Sequence, residues 1–190
     1  MKRPQKYITG SEYWSSPKAS QNAKEDYLNL AVRHHYYEPI IEKLKKLYEP
    51  NDTFTLHELG CGWGTNLEAI KNHFPNAQCS ANDIWKDAIE YVRVHRPYVE
   101  IVEMDTFQFI DSKVSEGRLF DVIITNAHLI HINDERLKGL CNLHRICRQA
   151  ILQENIVDLN DMVTGMKFEV TKISNVPDSD YQYYFQKSDV

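Results

Sequence analysis

The stretch His57–Asn66, HELGCGWGTN, decides the fold of this chain. It follows the apolar run FTLHEL (54–59) and carries glycines at the alternate positions 60, 62 and 64. Glycine at this density costs conformational entropy, so the backbone needs a conformation or a close approach that side chains would prevent. The pattern therefore predicts a tight strand-to-helix turn against which something packs very closely.

Composition places the chain among soluble globular proteins of one domain. Its 190 residues are 42% apolar and 26% charged, and the formal charge of 22 − 27 = −5 argues against a broad nucleic-acid surface. The sequence begins with polar residues and contains no apolar segment of about 18 residues, which argues against a membrane span. We expect a cytoplasmic protein with reduced thiols, because its four cysteines show no disulfide spacing: Cys61, Cys79, Cys141 and Cys147.

The chain divides into a leader and one domain. Residues 1–20 read as an irregular leader and possible lid, whose aromatic residues Tyr7, Tyr13 and Trp14 are too many for a discarded tail. Residues 21–190 form the domain: N-terminal helices over 21–48, a core over 53–155, and shortened C-terminal strands over 156–190. Pro39 is predicted to open a second N-terminal helix.

Strand-like and helical segments alternate through the core. The predicted strands are 54–59, 77–83, 98–105, 119–126 and 150–155, followed by two more at 167–174 and 181–188 around a turn at Val176-Pro177-Asp178. Alternation of this kind predicts an α/β fold, a mostly parallel sheet with helices on both faces. The last two strands have no helix between them and predict an antiparallel edge.

Polar residues stand where the predicted strands end. They are Glu58, Asp83, Asp105, Asn126, and Glu154 with Asn155. The carboxyl ends of parallel strands share one edge of a sheet, where ligands bind in open α/β folds. A dinucleotide fingerprint would need a glycine at Thr65, and a P-loop would need a lysine, and this turn has neither.

Four ordered motifs carry a family resemblance. They are ELGCGWG (58–64), NDIW (82–85), MDTF (104–107) and FDVIITNAHLIHI (120–132), and they resemble the class I S-adenosylmethionine-dependent methyltransferases over about residues 52–155. The resemblance implies a Rossmann-like three-layer sandwich. EYW (12–14) and LIHIN (129–133) are most similar to methylases associated with pseudaminic acid and other surface-sugar biosynthesis.

The resemblance implies S-adenosylmethionine as cofactor and assigns its contacts. Glu58 would hold the ammonium, directly or through water, and Asp83 would accept both ribose hydroxyls. Asp105 or the neighbouring backbone would read the amino edge of the adenine. Ile84 and Trp85 would flank the adenine, with Phe107 on its other face. The full implied set is Glu58, Gly60, Cys61, Gly62, Gly64, Asp83, Ile84, Trp85, Asp105, Thr106, Phe107 and Asn126.

Two histidines after the fourth strand are candidates for catalysis. His131, and less strongly His128, could take a proton from a hydroxyl acceptor, which favours a small polar or sugar-like substrate. Asn126 is a candidate for holding an acceptor nitrogen, but the prolines that usually follow such an asparagine are absent. Methylation of nucleic-acid or protein nitrogen therefore stays an alternative, as does a non-catalytic cofactor-binding scaffold subunit.

No metal site is predicted. Cys141, His144 and Cys147 contain ligand types but share a helical stripe with core leucines, so we expect them to face the core. The segment Val157–Lys167 is shorter than the helix usual in the family, which suggests a compact or open acceptor site, or one completed by a second subunit. We expect a monomer or homodimer that does not bind membranes.

Overall fold

The computed structural model describes residues 30–156, 159–163, 166–173 and 181–187. The predicted leader with Tyr7, Tyr13 and Trp14, and the turn at 176–178, lie outside the described residues. No helix among the described ranges has the length and apolar composition needed to cross a membrane.

The described elements alternate as the sequence predicts. The helices are α1 (Leu30–Leu44), α2 (Thr65–His73), α3 (Lys86–His95), α4 (Thr106–Glu116), α5 (Asp134–Leu137) and α6 (Leu159–Met162). The strands are β1 (Thr55–Leu59), β2 (Gln78–Asp83), β3 (Glu100–Glu103), β4 (Phe120–Asn126), β5 (Cys147–Glu154), β6 (Glu169–Lys172) and β7 (Tyr181–Gln186). Two 3₁₀ helices, Leu129–His131 and Lys138–Arg145, connect β4 to β5 on either side of α5.

The sheet confirms the predicted fold class. Its order is β3-β2-β1-β4-β5-β7-β6, with β1 to β5 parallel and β7 antiparallel to both β5 and β6. The strand order reverses between β1 and β4, so a crevice opens beyond their carboxyl ends. Glu58, the fourth residue of β1, and Asn126, the last residue of β4, stand at that reversal.

Apolar clusters cover both faces of the sheet. On one face α1, α2 and α3 bury residues such as Ile41, Ile70 and Val92. On the other face α4 and the segments after β4 bury residues such as Phe109 and Leu140. A strand enclosed in this way reads as a continuous apolar run, which is the pattern of β4.

The prediction that Pro39 opens a second helix is wrong. Helix α1 runs through Pro39 without interruption, and Ile40, Ile41 and Leu44 beyond it are fully buried. A proline in a helix interior removes one backbone hydrogen bond. Side-chain amides of the sheet bond the helix backbone here: Gln182 Nε2 donates to the Pro39 carbonyl at 3.1 Å. The burial of these side chains and the hydrogen bond from Gln182 outweigh the cost of the backbone hydrogen bond that the proline removes.

The predicted helical stripe through Cys147 is also corrected. The chain forms α5 and a 3₁₀ helix to Arg145, and β5 begins at Cys147, three residues before the predicted start. His144 Nδ1 donates to the carbonyl of Cys141 at 2.7 Å, and the Cys147 thiol donates to the carbonyl of Leu143 at 3.3 Å. Among the described residues no group of three or more His, Cys, Asp or Glu side chains could hold a metal ion. All four cysteines are free.

The segment after β5 contains a short helix. Helix α6 spans four residues of the interval 157–167, and Leu159 and Val163 are buried in the second apolar cluster.

His57 is a buried histidine in the middle of β1. Its Nδ1 lies 2.8 Å from Ser80 Oγ, its Nε2 lies 3.0 Å from Asn82 Oδ1, and its ring stacks on Phe109 with centroids 3.9 Å apart. Burial lowers the pKa of His57 to about 3, because the charged imidazolium is poorly solvated there. The ring is a neutral part of the core.

Replacing His57 with phenylalanine should remove a pH-dependent contribution to stability. The His57 pKa is lower in the folded chain than in the unfolded chain, so this contribution is fully present above about pH 6.5 and is lost as the pH falls. Relative to His57→Phe, the wild type should lose about 1.4 kcal/mol of unfolding free energy per pH unit between pH 6 and 4. Urea unfolding of both proteins across this range measures the difference, and a constant difference would contradict the assignment.

Candidate active site

The glycine turn after β1 is held against β2. The backbone N–H groups of Gly60 and Cys61 donate to the carbonyl of Asn82 at 3.0 and 3.3 Å. Gly60, Gly62 and Gly64 have φ angles of 67°, 51° and 70°, a region that residues with a Cβ rarely adopt. Gly64 is the N-cap of α2 and has no side chain with which to cap the helix, whose N-terminus begins at Thr65 beside the glycine turn.

Parts of the chain itself approach two of the three glycines. A Cβ added to Gly60 would lie 2.1 Å from Nδ1 of His128, and one on Gly64 would lie 3.1 Å from Arg96 Cδ. A Cβ on Gly62 would meet nothing within 4 Å. Packing within the protein therefore requires Gly60 and Gly64, while Gly62 leaves room for another molecule.

Glu58 is a buried carboxylate that is only half satisfied. The side chain is 1% exposed, and its Oε1 accepts from Asn66 Nδ2 at 2.6 Å, whereas the buried Oε2 has no hydrogen-bond partner. Burial, and next the negative charge of Asp83, raise the pKa of Glu58 to about 8. An unsatisfied buried carboxylate oxygen at the end of β1 fits a cationic ligand with N–H donors.

Asp83 folds back onto the glycine turn. Its Oδ2 accepts from the Gly62 N–H at 2.7 Å, and its Oδ1 accepts from the N–H groups of Ile84 and Trp85 at 2.7 and 2.9 Å. Burial raises the pKa of Asp83, against the effect of these donors. A carboxylate has about four acceptor positions. Three are used here, so Asp83 can accept one ligand hydroxyl without releasing Gly62.

Of the two side chains expected to flank the adenine, only Ile84 is accessible to a ligand. Ile84 is exposed beside Asp83. Trp85 is buried and meets Trp63 edge-on with centroids 5.0 Å apart, next to Ala88. Trp85 therefore packs within the protein, and its contact with the adenine stays a prediction.

Asp105, the N-cap of α4, and Phe107, in the first turn of that helix, are both held by contacts within the protein. Asp105 caps α4 by accepting from the N–H groups of Phe107 and Gln108, and its Oδ1 also pairs with Arg136 at 2.6 Å. The Arg136 guanidinium lies over the Phe107 ring at 5.0 Å, and that ring packs where a Cβ on Gly139 would be. Phe107 is thus largely occupied by contacts within the protein.

Thr106 and Cys61 make contacts within the protein. Buried Thr106 places its hydroxyl 2.7 Å from His128 Nε2, and the thiol of buried Cys61 lies 3.5 Å from the carbonyl of Gly62. Burial raises the pKa of Cys61 and lowers the pKa of His128 to about 4. His128 is therefore a neutral imidazole that lies between Thr106 and the backbone of Gly60.

Glu154 anchors the loop that carries His128. Its Oε1 accepts from Thr125 Oγ1 at 2.7 Å and from the His128 N–H at 3.1 Å, and its Oε2 accepts from the Leu129 N–H at 3.0 Å. Burial raises the Glu154 pKa to about 7, with these donors acting in the opposite sense. Ala127 turns the chain here with a φ of 51°, a conformation that costs about 1–2 kcal/mol in a residue with a Cβ.

Asn126 lies in a network of amides. Its Nδ2 donates to the carbonyl of Tyr36 at 3.1 Å and to Asn66 Oδ1 at 3.3 Å, and its Oδ1 accepts from Gln153 Nε2 at 3.2 Å. His131, the last residue of the first 3₁₀ helix, is partly buried five residues beyond Asn126. The structure thus gathers all the predicted strand-end groups at one edge of the sheet.

Sequence reasoning missed two residues of this edge. Asn66 reaches Glu58 from the first turn of α2, and Gln153 reaches Asn126 from β5. The available signal was polarity: Gln153 and Glu154 follow three apolar residues of the predicted strand 150–155, and Asn66 lies two residues after Gly64. Neither residue belongs to the four motifs used above.

Comparison with known proteins gives one family and one curated relative. Residues 57–150 match the methyltransferase domain family. The malonyl-[acyl-carrier protein] O-methyltransferase of Bacillus anthracis is 28% identical over 96 residues, which are 50% of this chain and 34% of that protein. The chain thus matches about a third of the length of this relative.

Solved structures share the fold over nearly the whole chain. A TehB-like SAM-dependent methyltransferase from Corynebacterium glutamicum has a TM-score of 0.67 and 18% identity, and the match covers 91% of this chain and 100% of that one. Magnesium protoporphyrin IX methyltransferase from Synechocystis, with bound SAM, has a TM-score of 0.71 and 14% identity, covering 94% of this chain and 95% of that one. These likenesses concern the fold.

Gly60→Ala should destabilise the protein far more than Gly117→Ala. The two glycines have φ angles of 67° and 65°, but a Cβ on Gly117 meets nothing within 4 Å. Gly117→Ala should cost about 1 kcal/mol for the backbone conformation alone. Gly60→Ala should cost about 2–4 kcal/mol because it also displaces His128. Denaturant unfolding measures both.

A His128→Ala background isolates the ring contact. With the ring removed, Gly60→Ala should cost no more than Gly117→Ala. Equal costs in the wild-type background would show that His128 does not press on Gly60.

Proposed function

We propose that this chain is a class I S-adenosylmethionine-dependent methyltransferase, and that it transfers a methyl group from S-adenosylmethionine to oxygen of a small polar or sugar-like acceptor. The observation that carries the proposal is the buried Oε2 of Glu58 at the end of β1, which has no hydrogen-bond partner among the described residues. A cationic amino group is the ligand that such an oxygen requires, and the cofactor carries one.

The residues present fit the cofactor along the whole edge. Glu58 would accept from the ammonium, and the positive end of the α2 helix dipole would face the carboxylate. Asp83 would accept a ribose hydroxyl at its remaining position, and Ile84 would cover the adenine. Asp105, with Oδ2 outside its hydrogen bonds to Phe107, Gln108 and Arg136, would read the adenine amino group.

Methyl transfer mainly requires that the acceptor be aligned with the methyl group. S-adenosylmethionine supplies an already activated methyl group, so the protein has to orient the acceptor in line with it, which is worth as much as about 7–11 kcal/mol. A base is needed only where the acceptor loses a proton. His131 is the better candidate for that base, because the lowered pKa of His128 makes its imidazole a weak proton acceptor. We assign His128 to the wall of the site.

Two observations favour oxygen over nitrogen as the acceptor atom. The curated relative is named an O-methyltransferase. Both N–H donors of the Asn126 amide are directed to Tyr36 and Asn66, and its oxygen accepts from Gln153, so the amide is poorly placed to hold an acceptor nitrogen. The LIHIN sequence, similar to that of surface-sugar methylases, supports a sugar-like acceptor.

Glu58→Gln should weaken cofactor binding and stabilise the ligand-free protein. The amide keeps an acceptor for Asn66 but loses the charge, so affinity for S-adenosylmethionine should fall roughly ten- to hundredfold. Because the Glu58 pKa is raised on folding, its contribution to stability is present below about pH 4.5 and is lost as the pH rises to 8. The stability gain of the variant should therefore grow between pH 5 and 8.

Calorimetric titration and thermal unfolding measure the two effects, with Glu90→Gln on the exposed face of α3 as the matched control. Unchanged cofactor affinity in Glu58→Gln would remove the assigned ammonium contact. No binding by the wild type at millimolar cofactor would contradict the proposed function itself.

His131→Gln should lower the rate of methyl transfer without weakening the binding of the cofactor. We expect a loss of about 10²–10⁴ in kcat and of the acidic limb of the pH–rate profile, because a general base that must be deprotonated to act is removed. His128→Gln should instead keep the pH profile and lower stability. The assay uses cofactor with a labelled methyl group on sugars, nucleotides, small acids and RNA. Methylation found only on nitrogen atoms of the nucleotides or RNA would contradict the oxygen acceptor.

A further inference from the structure

A chain of amides connects helix α1 to the carboxylate of Glu58. It begins at the backbone carbonyl of Tyr36, which accepts from Gln153 Nε2 at 2.5 Å and from Asn126 Nδ2 at 3.1 Å. Asn126 Nδ2 also donates to Asn66 Oδ1 at 3.3 Å, and Asn66 Nδ2 donates to Glu58 Oε1 at 2.6 Å. Gln153 Nε2 also donates to Asn126 Oδ1 at 3.2 Å, which completes the network.

The Tyr36 carbonyl fixes the orientation of the side-chain amides in this hydrogen-bond network. A carbonyl can only accept, so both Gln153 and Asn126 must turn their NH₂ groups toward it. Asn126 then offers its second N–H to the oxygen of Asn66. Asn66 is thereby left with its NH₂ group facing Glu58. The reverse orientation of Asn66 would place an oxygen against the carboxylate and favour its protonated form.

We propose that Asn66 is a positioning residue for the cofactor, and that Gln153 and the Tyr36 carbonyl of α1 act through it to favour the ionised form of Glu58 and to aim that carboxylate at the cofactor's ammonium. This inference rests on the proposed function. The bond from Asn66 holds Oε1 in place, and the free Oε2 is thereby directed to the ligand. Docking of α1 and cofactor binding are thus linked through side chains of α2, β4 and β5.

The other groups around Glu58 do not replace this effect. Asp83 on β2 raises the Glu58 pKa, and Arg96 after α3 lowers it but is paired with Glu68 at 2.5 Å. Cys61, in the glycine turn, is a buried thiol whose own pKa is raised by burial, so it is neutral. The hydrogen bond from Asn66 is the largest effect that favours the ionised form.

The test measures cofactor affinity against pH in Asn66→Ala and Gln153→Leu. Asn66→Ala should bind S-adenosylmethionine at least about tenfold more weakly at pH 7, because a charge-assisted hydrogen bond is lost. The ratio of wild-type to variant affinity should shrink as the pH rises toward 9, where Glu58 ionises without help. Taking the ratio at each pH removes the titration of the cofactor's own amino group.

Gln153 does not contact Glu58, so Gln153→Leu tests whether an effect reaches Glu58 through the side chains of Asn126 and Asn66. It should shift the pH dependence in the same direction by a smaller amount, and the double variant should match Asn66→Ala. Asn72→Ala, an exposed amide on the same helix α2, is the matched control and should behave as the wild type. Asn66→Asp, which is isosteric, replaces Asn66→Ala should the latter fail to fold, and should give a larger shift.

The outcomes separate the two proposals. Weaker binding of Asn66→Ala with the same ratio at every pH would show a merely structural residue and overturn the inference. Wild-type behaviour of Gln153→Leu would overturn the role of Gln153, since Asn126 still donates to the Tyr36 carbonyl in that variant. Failure of the wild type to bind cofactor would instead reject the proposed function, and this inference with it.

Discussion

The burial of Glu58 at the end of β1 is the constraint on which the site depends. A carboxylate in that position is poorly solvated, and one of its oxygens lacks a partner. Such a group lowers the stability of the ligand-free chain at neutral pH and above. We expect the sheet to tolerate it because a cation completes the hydrogen bonding. Stability and binding therefore make opposite demands on this residue.

Contact between His128 and Gly60 joins the two strands at which the sheet order reverses. The imidazole occupies the space of a missing side chain on the glycine turn, and Thr106 holds its other edge. Glu154 fixes the backbone of the same loop from the next strand. His128, which is a catalytic candidate in the sequence, thus also shapes the glycine turn, because its ring excludes any side chain from position 60.

The fold was predictable to a large extent because its signals are local. The apolar run of β4, the strand-helix alternation and the antiparallel C-terminal edge all correspond to observed elements. Pro39 misled because its local cost is overridden by burial of Ile40 and Ile41 and by the bond from Gln182. The segment before β5 misled because a helical stripe of leucines also satisfies a short helix followed by a 3₁₀ helix.

By itself the sequence determined the glycine turn, the acids at the strand ends and their order, because each is written within a few residues. Only the tertiary structure decided which glycine remains open to a ligand, that Trp85 turns inward, and that Asn66 holds Glu58. These depend on groups that are distant along the chain, such as Gln153 and Tyr36, which are 117 residues apart. No local pattern encodes such a meeting, since it is packing of α1 on the sheet that brings the groups together.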